Sequence, residues 1–141
     1  MLSRREHTRR ELYDKLFRRG FDGDVIEGVI AALEESQLQS DYRFAELYAE
    51  QRAAKGYGAQ RIRAELRDRG VSGEVCDEAM AVLETDWVAN AARMIARKFG
   101  AETALSGQEL LKCKRYLHGR GFSSGQIRAA LSAHAGAHED L

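Results

Sequence analysis

The residues best suited to chemistry lie in one run, Lys55-Gly56-Tyr57-Gly58-Ala59-Gln60-Arg61-Ile62-Arg63-Ala64-Glu65-Leu66-Arg67-Asp68-Arg69-Gly70. Lysine brings a compact positive charge, and arginine a planar fork of donors that matches phosphate or carboxylate. Tyr57 stands between two glycines, so the backbone can bend there at little steric cost and hold an aromatic ring at the bend. Such a ring can stack on a base or enter a partner's pocket. It can equally plug the gap between two helical units, and both roles stay open.

Other chemistries lack their parts. His7 and His118 have no Cys or Ser nucleophile at a recognisable spacing. His134 and His138 are one helical turn apart, but no third ligand lies near them beyond Glu139 and Asp140, so no metal is expected. Gly56-x-Gly58 follows no strand pattern and precedes no Gly-Lys-Ser/Thr, so it is not a phosphate-cradling nucleotide loop. Cys76 and Cys113 occupy positions that take Ile or Leu elsewhere in the chain, and read as small buried apolar groups in a reducing compartment. Neither catalysis nor a cofactor is expected.

The elements that must carry the cations are helical. The chain has 13 glycines and no proline, so glycine does all the punctuation, as in helices joined by short turns. Ile62 and Leu66 share a helix face one turn apart, which sends Arg61, Arg63, Arg67 and Arg69 beside or opposite it. A shift of 50 residues lays Leu12 on Ile62, Leu16 on Leu66, Gly20 on Gly70, Phe21 on Val71 and Asp22 on Ser72. A shift of 101 lays Leu16 on Leu117, Gly20 on Gly121, Phe21 on Phe122 and Asp22 on Ser123. A period of this length signals stacked supersecondary units.

Each matched glycine suits a left-handed helix cap, with the residue after it touching the leucine four before it. Asp22, Ser72 and Ser123 then suit N-caps of the next helix, and Thr8 with Glu11, Ser123 with Gln126, and Ser106 with Glu109 fit capping boxes. Ser40 and Asp86 cap further helices. Val25, Ile26, Val29, Ile30 and Leu33 form the expected inner stripe of one helix, and Phe44, Leu47 and Tyr48 that of another. Trp87 reads as packing between units. The expected fold is therefore all-α, with three tandem three-helix repeats in an elongated, curved right-handed or solenoid-like array. The units span 1–37, 38–85 and 86–141, the first with only a stub of its leading helix in residues 1–6, the last with a frayed tail from Ala135.

Net charge is zero but blocky. Residues 1–20 hold seven Lys/Arg against three Asp/Glu, 22–50 one against eight, 51–70 six against two, 71–90 none against five, and 91–128 eight against two. One helix of each unit is basic and another acidic, so folding can sort charge onto different surfaces. Regular stacking would align Lys15, Arg18 and Arg19, then Arg61, Arg63, Arg67 and Arg69, then Lys112, Lys114, Arg115 and Arg120 along one ridge that attracts anions. The plainer alternative is solvated faces paired with the acidic helices. No apolar run approaches the ~20 residues of a membrane span, and residues 1–5 lack a signal peptide's apolar core, so a cytoplasmic protein is expected.

Leu2-Ser3-Arg4-Arg5-Glu6-His7-Thr8 with Glu11-Leu12, Asp41-Tyr42-Arg43-Phe44-Ala45, Lys55-Gly56-Tyr57-Gly58, Arg61-Ile62-Arg63-Ala64-Glu65-Leu66 and Asp86-Trp87 together resemble the bacterial RecX regulatory proteins over nearly the whole chain. Ala59 departs from that pattern, which often has proline there. The resemblance implies a monomeric, non-enzymatic modulator of the RecA recombinase. Such a protein lies in the groove of the RecA nucleoprotein filament and restrains its assembly, ATPase and recombination activity, with a place in DNA repair and the SOS response. It leaves open direct contact with single- or double-stranded DNA. An independent helical DNA-binding module is the alternative. The partner-binding candidates are Lys55, Tyr57, Arg61, Arg63, Arg67, Arg18, Arg19, Lys112, Lys114 and Arg115.

Overall fold

The computed structural model describes residues 6–37, 39–100 and 104–139, which leaves most of the expected leading stub, and the side chain of His138, outside it. Among the described residues there are eight α-helices and no strand: α1 (Arg9–Arg18), α2 (Gly23–Glu35), α3 (Asp41–Ala54), α4 (Ala59–Asp68), α5 (Gly73–Ala81), α6 (Trp87–Phe99), α7 (Gly107–Arg120) and α8 (Ser124–Glu139). The all-α repeat expectation holds. Among the described residues no helix is long and apolar enough to cross a membrane.

Three corners set the repeat. Gly20, Gly70 and Gly121 have φ of +93°, +91° and +100°, the left-handed region that a Cβ disfavours. At each, the residue after the glycine donates its N–H to the carbonyl five back: Phe21 to Leu16 at 3.3 Å, Val71 to Leu66 at 3.1 Å and Phe122 to Leu117 at 3.1 Å. The glycine itself donates to the carbonyl three back, at 3.0 Å in all three. These two bonds close the last helical carbonyls and turn the chain sharply. The following helices are capped as expected, by Asp22 on the Asp24 N–H, Ser72 on the Val75 N–H, and Ser123 with Gln126 as a reciprocal capping box.

Local details depart from expectation. Ser106 sits at the N-cap of α7 but makes no side-chain cap bond, because Gly107 enters the helix at φ +55° and distorts the first turn. On α2 only Ile26 and Ile30 are buried and Leu33 half-buried, whereas Val25 and Val29 are exposed; Leu47 on α3 is exposed too. A helix period places both Val25 and Ile26 near one face, and only the position of α1 decides which of them turns in. α8 continues to Glu139 rather than fraying from Ala135.

Packing divides the chain into two units, each with its own core. The first comprises Met1–Glu50 and Ala64–Leu83, and the second Gln51–Arg63 and Glu84–Leu141. In the first, Leu12 and Leu16 of α1 pack on Ile26 and Ile30 of α2, with Tyr13 and Leu33 at the margin. In the second, Ala91, Met94 and Ile95 of α6 meet Cys113 and Leu117 of α7, Phe122 of the corner, and Ile127 and Ala130 of α8. Trp87 lies half-buried against that second core. Cys76 and Cys113 are both buried, and burial pushes the Cys113 thiol up, away from the reactive thiolate.

Candidate functional site

The Lys-Gly-Tyr-Gly turn is built by the same device as the corners. α3 ends at Ala54, Gly56 takes φ +89°, its N–H reaches the Ala53 carbonyl at 3.0 Å, and the Tyr57 N–H reaches the Arg52 carbonyl at 3.1 Å. This cap brings the residue after the glycine against the residue five before it. Here those are Tyr57 and Arg52, and the Arg52 guanidinium lies 3.7 Å from the centre of the ring. A Cβ on Gly56 would also strike the Met94 side chain, so the turn sits directly on the core of the second unit.

Gly58 has a different duty. Its N–H donates to the Arg120 carbonyl at 2.7 Å, and that of Gln60 to the Gly121 carbonyl at 3.1 Å. The start of α4 is thereby seated on the α7–α8 corner. The approach is so close that a Cβ on Gly58 would run into the Gly121 carbonyl and, at 2.5 Å, the Phe122 nitrogen. A Cβ on Gly121 would in turn strike the backbone of Arg61. Two glycines meet face to face, and no side chain fits between them.

Arginines lock the joint. Arg120 donates from Nε to the Gly56 carbonyl at 2.9 Å and from Nη2 to the Lys55 carbonyl at 2.7 Å, and lies 4.1 Å from the Tyr57 ring centre. Arg61 donates from Nη1 to the Gly119 carbonyl at 3.0 Å and lies 4.6 Å from the same centre. Tyr57, half-buried, is thus surrounded by three guanidiniums, each within the ~6 Å at which a cation is attracted to a ring face. In this setting Tyr57 fills a gap inside its unit.

Of the sequence candidates, Lys55, Tyr57 and Arg61 come together here. Arg63 follows two residues further along α4, about half a turn around from Arg61, and is half-buried, while Arg67 is exposed near that helix's end. Arg18 and Arg19 are exposed at the end of α1, with Arg18 Nε donating to the Asp14 carbonyl at 3.3 Å. Lys112, Lys114 and Arg115 are exposed on α7 one to two turns before Arg120, and Lys114 borders a groove of about 780 Å³ with Leu105, Leu110, His118, Arg128 and Leu131. Missed by sequence reasoning were Arg52, Arg97 and Lys98. Arg52 was findable: treating Gly56 as a fourth left-handed cap predicts its contact with Tyr57.

Arg9 and Arg43 pair with carboxylates. Arg9 pairs with Glu27 and, at 3.2 Å, with Glu34, both on acidic α2; Arg43 grips Glu6 with two bonds of 2.7 and 3.1 Å. The hydrogen bond that Arg9 donates lowers the Glu27 carboxyl below its ordinary value, and donating to Glu27 and to Glu6 raises Arg9 and Arg43 respectively. None of these arginines is among the partner-binding candidates. Among the described residues no cluster of three His, Cys, Asp or Glu side chains is arranged to hold a metal.

Comparison with known proteins identifies the kin. Three family models match in order: the first three-helix domain of RecX over residues 1–33, the second over 40–80 and the third over 84–131. Regulatory protein RecX of Halorhodospira halophila is 44% identical over 133 residues, covering 94% of this chain and 83% of that protein. Its counterpart in Chromohalobacter salexigens is 41% identical over 135 residues, covering 96% and 88%. The crystal structure of RecX from Lactobacillus salivarius superposes with a TM-score of 0.78 over 99% of this chain and 90% of that one; at 23% identity this shows a common fold. The chain belongs to the RecX family of regulatory proteins.

Proposed function

We propose that this chain binds the RecA–DNA filament and opposes its growth and ATP turnover, acting by occupancy and without catalysis. The observation that carries the reading, beyond kinship, is the joint around Tyr57. There the Arg61 and Arg120 guanidiniums are fixed by bonds to backbone carbonyls beside Lys55, so little of their side-chain freedom remains to be lost on docking. Of the remaining cations, Arg63, Lys112, Lys114 and Arg115 add weaker contacts from the same unit, and Arg67, Arg18 and Arg19, on the other unit, contribute least; the three repeats of 1–37, 38–85 and 86–141 each supply some of them. A monomer in the cytoplasm suffices for this role.

Inhibition requires differential affinity: the chain must bind more tightly to a filament state that extends or hydrolyses poorly. Steering by opposite charge speeds the encounter and weakens with salt. The test is RecA ATP hydrolysis on single-stranded DNA during titration with this protein. The rate falls as the chain approaches stoichiometry with filament, and an unchanged rate rejects the proposal. Salt-steep binding to DNA without any effect on RecA would favour the independent DNA-binding module instead.

A further inference from the structure

Beside the Tyr57 joint, on the second unit, a pocket of about 280 Å³ is lined by Lys55, Met94, Arg97, Lys98, Tyr116 and Arg120. Four of the six carry positive charge and none is acidic. They come from three separate places: the turn after α3, the last turn of α6, and the end of α7. We infer that this pocket is a phosphate site that takes a backbone phosphodiester of single-stranded nucleic acid.

Three features support that assignment. Like charges converging on one concavity repel each other, and a bound anion turns that repulsion into attraction. A cation near a helix C-terminus is ordinarily explained by the helix dipole, which accounts for Arg97, Lys98 or Arg120 singly but not for their convergence on Lys55. Arg120 is also oriented in advance. Its bonds to the Lys55 and Gly56 carbonyls use two of its five N–H groups and fix the plane of the fork. Lys98 is likewise poised, with Nζ 4.1 Å from the Tyr116 ring centre.

Size and continuity choose the ligand. The volume falls just below the roughly 300–1,000 Å³ of pockets that enclose whole small molecules, which suits a phosphate with part of its sugar better than a complete nucleotide. Arg120 also belongs to the Tyr57 cluster, so positive charge runs on from the pocket through Arg120 to Arg61 and Arg52. A free anion uses only the pocket. A chain of phosphates uses the whole run.

The test omits RecA, so its outcome is separate from that of the proposed function. A fluorescent oligothymidylate is titrated with the full chain at several salt concentrations and read by anisotropy. Arg97→Gln with Lys98→Gln is expected to weaken binding roughly tenfold at low salt and to flatten the salt slope by roughly 0.7, the effect of losing one single-strand phosphate contact. Arg10→Gln with Arg128→Gln removes the same charge at exposed positions elsewhere on the chain and leaves affinity within about twofold of wild type. Equal affinity of the first variant and wild type, or equal losses in both variants, overturns the site. If the first variant does not fold, Lys55→Gln at an exposed position carries the same expectation, a loss of about threefold. In a second arm, inorganic phosphate is added while amide resonances of Gly56 and Gly121 are followed by NMR. Shifts that the oligothymidylate also produces support the assignment, and shifts produced by phosphate alone overturn the nucleic-acid ligand.

Discussion

One joint is made twice in this chain, and the two versions differ in charge. In the first unit the start of α1 meets the α4–α5 corner: the Thr8 hydroxyl donates to the Arg69 carbonyl at 2.8 Å, and a Cβ on Gly70 would press on the Arg10 side chain. In the second unit the start of α4 meets the α7–α8 corner through Gly58, Gln60 and Gly121. In both, the arginine before the corner glycine lies on a tyrosine, Arg69 at 4.7 Å from Tyr48 and Arg120 at 4.1 Å from Tyr57. The surroundings then diverge. Glu65 accepts from the Tyr48 hydroxyl at 3.1 Å and offers its carbonyl to Arg69 at 3.4 Å, so a carboxylate shares the first joint. The second gathers Arg52, Arg61 and Arg120 on its tyrosine and Lys55, Arg97 and Lys98 alongside. The first joint is balanced in charge and holds the fold. The second holds the fold too, and the cations gathered there are the ones proposed to meet an anionic partner.

The corner glycines give the sharpest way to break this comparison. Gly121→Ala places a Cβ on the Arg61 backbone, which cannot step aside, and is expected to cost about 3 kcal/mol or more by combining left-handed strain with a clash. Gly70→Ala meets the Cβ and Cδ of Arg10, each 2.6 Å away, but no backbone atom of it, and is expected to cost about 1–3 kcal/mol. Gly20→Ala meets nothing within 4 Å and carries left-handed strain alone, about 1–2 kcal/mol. Urea melts of the three variants test the ranking, and equal costs would mean the second joint is no tighter than the first.

Charge is next. Arg61→Ala with Arg63→Ala is expected to raise the concentration needed for half-inhibition of RecA by roughly tenfold, while loss of the Arg61–Gly119 hydrogen bond costs about 1 kcal/mol and a few degrees of melting temperature. Full inhibition by the folded double variant would show that these arginines do not dock. Arg18→Gln with Arg19→Gln, on the first unit, should change inhibition by no more than about twofold, as scattered surface charges do. An effect as large as that of Arg61 and Arg63 would erase the difference between the two units.

The smallest effect is a pH dependence confined to the first unit. Glu27 titrates below its ordinary value in the folded chain because Arg9 hydrogen-bonds it, so its contribution is present above that ordinary value and is lost as pH falls through the lowered one. Thermal melts at pH 6 and pH 3 should therefore converge more for Arg9→Ala than for wild type at the acid end. Identical pH profiles would show the pair to be energetically silent.

Much of the fold was legible in the sequence because it rests on local signals. Gly20, Gly70 and Gly121 announce left-handed caps, and Thr8 with Glu11 or Ser123 with Gln126 announce helix starts, through bonds made within a few residues. Val25 and Val29 were misplaced because the choice of buried face belongs to the neighbouring helix, which local periodicity does not encode. Lys55, Tyr57 and Arg61 stood out as a basic, glycine-framed run. Arg97, Lys98 and Arg120 complete the cluster from 36 or more residues away, and only tertiary packing brings them there. The close approach of Gly58 and Gly121 is of the same kind: two glycines 63 residues apart, each necessary because of the other.

Arginine footprinting bears on the central claim most directly. The chain is treated with a guanidinium-selective dicarbonyl, alone and with RecA assembled on single-stranded DNA, and modification is read by mass spectrometry. Arg61 and Arg97 should lose reactivity in the presence of filament by a larger factor than Arg18 and Arg19. Reactivity of Arg61 and Arg97 that is the same with and without filament, under conditions where ATP hydrolysis is inhibited, would contradict docking through the cationic joint of the second unit.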